Sequence, residues 1–367
     1  MARIIEPYTA VALQTTLLNV RKREDVKKNL RNITDAIDGI HYLRADTPVR
    51  LLNLAEGAIQ TFVDTQMRHM AGYDMKRAMS ELGFDTTVPG PETEVLAEKA
   101  RKYNMYIVGQ LRAVEPEIDD RYYFNIGFII DPKGEVILKY HKVQTFVMEP
   151  SVTPIDLYDK LVALKGNTLD TFFPVADTDI GKIGIMICND IHYPEVARGL
   201  AMNGAEIICC CGDVINHMSR DWTPTILRAR AVDNNAYVIF TNSGSWYLTP
   251  ESTDPAEVHG GQSMIIDYTG NIMSRFPGQG TGYAISVIDV EALRWWRENV
   301  FTGSWIKDLR TEIYKLIYEK PIFSKNRYAQ RIPNDEERKA TLRENVKLMV
   351  ERGIYTRSFY STNKNVK

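Results

Sequence analysis

Short apolar runs alternate with longer amphipathic segments along most of the chain, and this alternation predicts a layered α/β protein. Residues 26–40 carry apolar side chains at spacings of four, three, four and three, which indicates the buried face of a helix. A second helix is predicted from the turn at 89–91 to residue 100. Apolar runs at 11–13, 50–54 and 106–109 predict strands that separate these helices.

Two further segments predict β-hairpins of the same design. In each, an aspartate and a glycine stand at the first and fourth turn positions between apolar runs, as Asp131 with Gly134 and as Asp267 with Gly270. This spacing suits a type I turn. Hairpins mixed with strand–helix units favour two mixed sheets with helices outside over a Rossmann sheet, and the chain lacks a glycine-rich phosphate loop.

The apolar pattern weakens near Asp289, which predicts a main domain over residues 8–290 and a C-terminal extension over 291–367. The extension is charged, aromatic and rich in helix-forming residues. Within it, a narrow apolar stripe packs either on its own domain or on a neighbouring subunit. The stripe consists of Leu342, Val346, Met349 and Val350. We therefore expect a homo-oligomer, a dimer or larger.

Composition and charge narrow the class of protein. The 367 residues are 44% hydrophobic, which is enough for a sizeable core. Lysine and arginine number 45 against 47 acidic residues, for a net charge of −2, and the even spread predicts neither nucleic-acid nor membrane binding. The N-terminus lacks the apolar core of a signal peptide, and no apolar run approaches the ~20 residues of a membrane span. These features predict a soluble, cytoplasmic protein.

The four cysteines fall into two groups. Cys209, Cys210 and Cys211 are consecutive in an apolar run and are interpreted as packing residues of a buried strand. Cys188 instead ends the apolar run at 182–187 and precedes polar residues and a proline, so its thiol stands at a strand tip. Neither disulfide nor zinc-ligand spacing is present, so we expect no metal or other cofactor, and a reducing compartment suits the thiol.

Two other chemical groups are predicted at strand ends. Glu56 follows the apolar run 51–55, and Lys142 follows the run 136–141, sharing a strand face with Tyr140. Each of the three candidates also has an ordinary interpretation. Glu56 could be a helix-terminal acid, Lys142 a solvent-exposed lysine, and Cys188 a small core side chain. Taken together, they supply a nucleophile, a general base and an oxyanion donor, which are the groups needed to hydrolyse an amide through a thiol.

At these same positions the chain resembles the nitrilase superfamily of carbon–nitrogen hydrolases. The stretch 54–56 is similar to the glutamate motif of the family, 139–142 to its lysine motif, and 187–190 with 193–195 to its nucleophile motif. The segments 198–206 and 228–239 continue the match, and the resemblance covers roughly residues 8–290. It implies an α-β-β-α sandwich that usually pairs through helices into a four-layer dimer.

The resemblance also implies roles for individual residues. Cys188 corresponds to the nucleophile, Glu56 to the general base and acid, and Lys142 to the oxyanion stabiliser. The backbone N–H of Asn189 would be the second oxyanion donor. Some family members carry a second glutamate after the lysine that positions the substrate, and Glu149 is the nearest candidate, the alternative being a plain surface carboxylate.

Three substrate classes are compared on the residues around the cysteine. Nitrilases tend to place tryptophan after the cysteine, where this chain has Asn189, and carbamoylases often have arginines where it has Ile191 and His192. The segments 193–195 and 201–206 match amidases, and the long extension is similar to aliphatic amidases. Ala55 and His141 depart from the proline and arginine common in the family, which affects the pocket rim more than the chemistry.

The sequence therefore predicts hydrolysis of a linear amide through a Cys188 acyl-enzyme, with N-carbamoyl hydrolysis as the second choice. A nitrilase, an acyltransferase that passes the thioester to an amine, and a non-catalytic scaffold are the remaining alternatives. His192 and His217 either line the pocket entrance or lie on the surface. Trp246 and Tyr247 are predicted in a loop that either borders the substrate or is structural.

Overall fold

The structure is a computed structural model, which describes residues 4–44, 47–61, 85–146, 149–215, 218, 220–249, 251–331 and 333–358. Within these residues the strands form two six-stranded mixed sheets and one two-stranded ribbon. In each large sheet a central set of three parallel strands is extended by antiparallel strands on both sides. The mixed sheets predicted from the hairpins are thus confirmed.

The first sheet, from one edge to the other, consists of β14 (Gly282–Ile288), β1 (Tyr8–Gln14), β3 (Val49–Leu54), β4 (Tyr106–Glu115), β5 (Asp119–Ile130) and β6 (Val136–His141). The second consists of β13 (Ile272–Arg275), β12 (Met264–Ile266), β10 (Tyr237–Thr241), β9 (Ile207–Cys211), β8 (Gly181–Ile187) and β7 (Val175–Thr178). Both predicted hairpins are present, as β5–β6 and β12–β13. The ribbon pairs β2 (Leu17–Leu18) with β11 (Trp246–Tyr247), so the loop predicted for Trp246 and Tyr247 is wrong. Backbone pairing with Leu17–Leu18 draws these two aromatic residues into a strand.

The helices are α1 (Arg23–Leu43), α2 (Pro91–Tyr103), α3 (Tyr158–Lys165), α4 (Leu169–Phe172), α5 (Pro194–Met202), α6 (Trp222–Asn234), α7 (Val290–Asn299), α8 (Thr311–Tyr318) and α9 (Asp335–Glu351). Short 3₁₀ turns occupy Pro154–Leu157, Cys188–His192 and Ile306–Asp308. Within the described residues, no helix combines the length and apolar character that a membrane span requires.

Strand alternation places the sheets between two helical layers. Leu52 of the first sheet belongs to a buried cluster with Ile33 of α1 and Leu96 of α2, whereas its neighbour Leu51 lies in a second cluster with Ile185 of the other sheet. That second cluster also takes in the buried faces of α5 and α6. The arrangement is an α-β-β-α sandwich, which confirms the predicted fold class.

The buried amide of Asn53 joins the two sheets near their carboxyl ends. Asn53 of β3 donates from Nδ2 to the Cys210 carbonyl and to Thr241 Oγ1, each at 2.9 Å. In return, the Thr241 hydroxyl donates to the Asn53 carbonyl at 3.0 Å. Because buried polar groups are costly unless they are paired, these bonds fix the two sheets in one alignment directly beside Glu56.

The C-terminal extension differs from the sandwich in its burial. Val290 and Leu293 of α7 are buried in the core, so the packing of the sandwich continues into the start of the predicted extension. Beyond α7, helix α8 has no buried residue, and its apolar side chains Ile313, Leu316 and Ile317 are exposed. The predicted boundary at residue 290 stays a prediction.

Candidate active site

Cys188 stands at a sharp turn directly after β8. Its backbone φ is +43°, a left-handed conformation that is uncommon for any residue with a side chain. A 3₁₀ turn begins at Cys188, so the chain leaves the sheet at once and the residue as a whole is only half-buried. Such conformations persist only where the surrounding structure holds them, and they cluster at functional sites. The structure therefore confirms that Cys188 is placed at a strand tip.

Asp190 holds this turn in place from within. Its carboxylate accepts hydrogen bonds from the Ile187 N–H at 2.9 Å, the Tyr140 hydroxyl at 2.7 Å and the Gln144 N–H at 2.9 Å. Burial raises the pKa of Asp190 to about 6, although these donors favour its charged form. The carboxyl group ties the turn at Cys188 to the segment that carries Lys142.

Glu56 reaches the site from the end of β3. Its N–H donates to the Gly212 carbonyl at 3.1 Å, and its own carbonyl accepts from Ser243 Oγ at 2.9 Å, so both peptide units are fixed by the second sheet. The side chain is buried, and Oε1 accepts from Asn125 Nδ2 at 2.7 Å and from Lys142 Nζ at 3.0 Å. The carboxylate is therefore held rigidly in an ion pair.

Lys142 is buried between two carboxylates. Its Nζ lies 3.0 Å from Glu56 Oε1 and 2.6 Å from Glu149 Oε2, and its side chain is 1% exposed. Burial by itself lowers the pKa of Lys142, but the carboxylates of Glu149 and Glu56 outweigh this effect and raise the pKa well above its usual value. The ammonium group is therefore a permanent positive charge inside the site, and the solvent-exposed interpretation of this lysine is wrong.

Glu149 lies in the same network and is also buried, so the alternative of a surface carboxylate is wrong. Its Oε1 accepts from Asn125 Nδ2 at 2.7 Å and from Ser151 Oγ at 2.6 Å. Burial opposes ionisation, but Lys142 and then Arg112 lower the pKa of Glu149 to about 2. This carboxylate is therefore charged throughout the neutral range.

Three residues of this network were missed in the sequence. Asn125 donates to both Glu56 and Glu149, and Gln110 in turn donates to the Asn125 side-chain oxygen at 2.7 Å. Arg112 lies 3.7 Å from Glu56, with both side chains buried. A usable signal existed for Asn125, because an amide interrupts an otherwise apolar run in β5, and a buried amide requires partners.

The charges around Cys188 determine the state of its thiol. Burial and then the Glu56 carboxylate raise the pKa of Cys188 well above its usual value, although Lys142 acts in the opposite direction. The thiol is therefore protonated at rest and needs a base during its attack. The arrangement suits transfer of the thiol proton to Glu56 as Sγ bonds to a carbonyl carbon, with Lys142 positioned to stabilise the resulting oxyanion.

The remaining predicted residues lie around this centre. Asn189 is in the first turn of the 3₁₀ segment, and its side chain donates to the Thr145 carbonyl at 3.0 Å. His192 is half-buried and packs against Trp222, with ring centroids 5.5 Å apart. His217 lies outside the described residues. Within the described residues, no group of three or more histidine, cysteine, aspartate or glutamate side chains is arranged to hold a metal ion.

The first sheet and the second sheet each contribute part of the site. Glu56, Lys142 and Glu149 follow strands of the first sheet, whereas Cys188 follows β8 of the second. The site therefore lies at the seam between the sheets, where the Asn53 bonds hold them together.

Comparison with known proteins places this arrangement in a family. The family model described as carbon–nitrogen hydrolase matches residues 9–298. A formamidase from Bacillus cereus strain Q1 is 28% identical over 275 residues, which cover 74% of this chain and 71% of the relative. A formamidase from Bacillus anthracis is 27% identical over the same length.

Solved structures share the fold. The NitFhit protein of C. elegans superposes with a TM-score of 0.63 at 20% identity, covering 85% of this chain and 67% of that one. A mutant of the Nesterenkonia AN1 amidase from the nitrilase superfamily gives 0.60 at 19% identity, covering 84% and 97% of the two chains. The match over most of the chain and the shared sandwich agree with the resemblance stated from the motifs. The chain belongs to the carbon–nitrogen hydrolase family and has the fold of the nitrilase superfamily.

Proposed function

We propose that this enzyme hydrolyses a small linear amide to a carboxylic acid and ammonia or an amine, through an acyl-enzyme on Cys188. The observation that carries the proposal is the buried Glu56–Lys142–Glu149 network beside a thiol at a strained strand end. Together with Cys188, the residues of this network come from three separate segments of the chain and from both sheets. This combination of a protonated thiol, a base and a fixed cation is what acyl transfer to sulfur requires.

The first half-reaction forms the thioester. Cys188 Sγ attacks the carbonyl carbon while its proton passes to Glu56, and the oxyanion is stabilised by Lys142 Nζ and the backbone N–H of Asn189. The N–H groups at the start of a helical turn have no partner within that turn, which suits the role given to Asn189. When the tetrahedral intermediate collapses, Glu56 returns the proton to the leaving nitrogen and ammonia or an amine departs.

The second half-reaction releases the acid. Water attacks the thioester carbon and gives its proton to Glu56, and the same two donors hold the second oxyanion. Collapse breaks the carbon–sulfur bond, and the proton on Glu56 returns to the sulfur. The sum is amide plus water to carboxylic acid plus ammonia or amine. Glu149 keeps Lys142 in place throughout, because it is charged and bonded to Nζ.

A short acyl group is the favoured substrate class. The formamidases that the chain resembles act, by name, on the smallest amide, and a Nesterenkonia amidase variant of the same fold carries the acetamide moiety of fluoroacetamide on its active-site cysteine. A carboxylate-bearing N-carbamoyl substrate is less well suited. Ile191 is fully buried and His192 packs on Trp222, so these two positions offer no arginine-like cation.

Intact-protein mass spectrometry with a substrate panel tests this proposal. Formamide, acetamide, propionamide, fluoroacetamide, an N-carbamoyl amino acid and a nitrile would be incubated with the enzyme while ammonia release is followed. We expect ammonia from the short amides, fluoroacetamide-derived mass on Cys188, and neither in Cys188→Ala. Ammonia from the Cys188→Ala variant, or turnover of the nitrile alone, would overturn the proposal. Hydroxylamine added as a competing acceptor distinguishes transfer from hydrolysis, because hydroxamate would form at the expense of the acid.

We further propose that the chain assembles into a homo-oligomer through its C-terminal extension. Helix α8 presents Ile313, Leu316 and Ile317 to solvent, and an exposed apolar face of this kind is typical of an interface. The predicted stripe on α9 is likewise exposed at Leu342 and Val346. Light scattering on the full chain and on the triple variant I313S/L316S/I317S tests this, and an unchanged molar mass would contradict it.

We also propose that the enzyme works in the cytoplasm. Its nucleophile must stay a free thiol, and the four cysteines are unpaired in the structure. Fractionation of cells that produce the full chain would test the location.

A further inference from the structure

A polar contact reaches the nucleophile from the segment that follows β9. The Cys188 thiol donates to the Asp213 carbonyl at 3.3 Å, while the neighbouring Gly212 carbonyl accepts the Glu56 N–H at 3.1 Å. The backbone at position 212 lies against the Phe240 ring, with which a Cβ would collide, so this position of the segment requires glycine. Two successive peptide units therefore contact both residues proposed to exchange the proton.

The Asp213 side chain is itself held by a buried histidine. His259 Nδ1 donates to Asp213 Oδ1 at 2.6 Å, and the His259 residue is 3% exposed. The two segments are joined by backbone contacts as well: Ile215 and His259 form an antiparallel bridge, and the Gly260 N–H donates to the Val214 carbonyl at 2.9 Å. The position of the Asp213 carbonyl against the thiol thus depends on the segment that carries His259.

The Asp213 carboxylate also acts on the thiol through its charge. Burial is the largest cause of the raised pKa of Cys188, and the Glu56 carboxylate is the next. Lys142 opposes the rise, whereas Asp213 and Glu149 add to it. The carboxylate of Glu149 is ion-paired with Lys142, whereas the carboxylate of Asp213 has a separate partner.

His259 provides that partner. Burial alone lowers the pKa of His259, but the Asp213 carboxylate outweighs this effect and raises the pKa above its usual value. Glu257 acts in the same direction from 3.7 Å, although its side chain is half-exposed and more strongly screened. The raised pKa favours the positively charged form of His259, and that form offsets the negative charge that Asp213 brings to the thiol.

We propose that Asp213 and His259 form a positioning pair for the nucleophile, which fixes the carbonyl against the thiol and controls how much negative charge the thiol experiences. The inference rests on Cys188 as the proposed nucleophile. Its test reads the thiol directly and needs no amide substrate, so it can fail while the proposed function stands. The reverse also holds.

The experiment is alkylation of the full-length enzyme by methyl vinyl sulfone, a small neutral thiol reagent that contains no amide, followed by peptide mass analysis to quantify Cys188 from about pH 5 to about pH 10. Asp213→Asn keeps the shape of the side chain and removes its charge, so the alkylation rate near neutral pH should rise ~10-fold, the effect of one pKa unit on the thiolate fraction. His259→Asn keeps a donor but removes the offsetting charge, so the rate should fall roughly fivefold.

Opposite changes of the alkylation rate in D213N and H259N distinguish an electrostatic pair from a merely structural one. The double variant D213N/H259N should resemble D213N, because no carboxylate is left to offset. Glu257→Gln is the matched control and should change the rate by less than about twofold, since its charge is half-exposed. If D213N and H259N both shift the rate in the same direction, or neither shifts it beyond twofold, the proposal is wrong. Thermal melting checks that each variant is folded, and His259→Gln replaces H259N if that variant unfolds.

Discussion

Two glutamates contact the same lysine, but they stand on different kinds of backbone. Glu56 directly follows β3, and both of its peptide units are bonded to the second sheet. Glu149 lies on the segment between β6 and α3, and its position depends on side-chain bonds to Ser151 and Asn125. The carboxylate proposed to exchange a proton is thus fixed by the sheets, whereas the one proposed only to hold the lysine is fixed by its neighbours. The following variants, in order of expected effect on rate, test this difference.

Glu56→Gln should have the largest effect, because it removes the only acid–base group assigned to both half-reactions. We expect kcat/KM for formamide to fall by about 10³-fold, within the usual range for a lost general base. The side-chain oxygen of the new glutamine can still accept the hydrogen bonds from Asn125 and Lys142, so the melting temperature should change little. A loss of less than tenfold would mean that another group takes the thiol proton.

Lys142→Met should follow, with kcat reduced by at least ~10²-fold, the scale for one lost oxyanion donor. This variant also leaves two buried carboxylates without their shared cation, which costs stability. Lys142→Arg is the matched control that keeps the charge. A fall in kcat of only a few fold in K142M, measured at a temperature where the variant is folded, would remove Lys142 from the oxyanion site.

Glu149→Gln should lower kcat by about tenfold, since Lys142 loses orientation but keeps its charge and its bond to Glu56. Because the pKa of Glu149 is about 2, its charge accounts for no loss of wild-type activity as the pH falls from neutral toward about 4. If E149Q lowered the catalytic rate as much as E56Q does, the proposed difference between the two glutamates would be wrong, because both carboxylates would then take part in proton transfer.

Arg338→Gln should have a smaller effect that reports on the C-terminal extension. Arg338 of α9 donates to the Glu149 carbonyl at 2.5 Å and to the Pro150 carbonyl at 2.8 Å. The extension therefore holds the backbone of Glu149, the glutamate that is not fixed by the sheets. We expect kcat to fall severalfold, the size of one or two lost charge-assisted bonds, with KM nearly unchanged. Arg338→Lys should recover part of the loss, and an unchanged kcat in R338Q would show that this support is dispensable.

Glu115→Gln should leave the rate nearly unchanged and lower the stability instead. Glu115 is buried with His141, which lies on the strand face opposite Lys142. Burial opposes its ionisation, but His141 and Lys139 lower the pKa of Glu115 to about 2. Because the folded-state pKa lies below the unfolded one, this stabilisation is present above about pH 4.5 and is lost as the pH falls toward 2.

We therefore expect E115Q to unfold more easily than the wild type at pH 7, by up to about 3 kcal/mol, with the difference shrinking below pH ~4. Denaturant unfolding of both proteins at pH 7 and below pH ~4 measures this difference in the free energy of unfolding. If E115Q lowered kcat as much as E149Q does, the ion pair between Glu115 and His141 would belong to the catalytic site.

The sequence predicted the residues whose local surroundings are distinctive. Cys188 and Glu56 each end an apolar run, and such endings place side chains at the edge of a sheet. The alternating pattern also predicted two mixed sheets with helices outside, because strand faces and helix faces are encoded every few residues, whereas the α-β-β-α sandwich was implied by the family resemblance. Family membership rested on the same short motifs.

The residues that the sequence did not predict act through partners far away in the chain. Asp213 and His259 are 46 positions apart, and Arg338 lies 189 positions from Glu149. Nothing in the residues around Arg338 distinguishes it from other charged residues of the extension. Such pairs are set by how the sheets and loops come together, and a single sequence carries no mark of that.

If the proposed roles hold, the seam between the sheets divides the catalytic groups between the two halves of the chain. Glu56, Lys142 and Glu149 all precede the exposed segment at 167–168, and Cys188, Asp213 and His259 all follow it. A chain divided at that segment would yield one fragment with a base and no nucleophile, and another with a nucleophile and no base. Turnover would then depend on the product of the two fragment concentrations, so the rate of ammonia release would measure how tightly the halves bind each other.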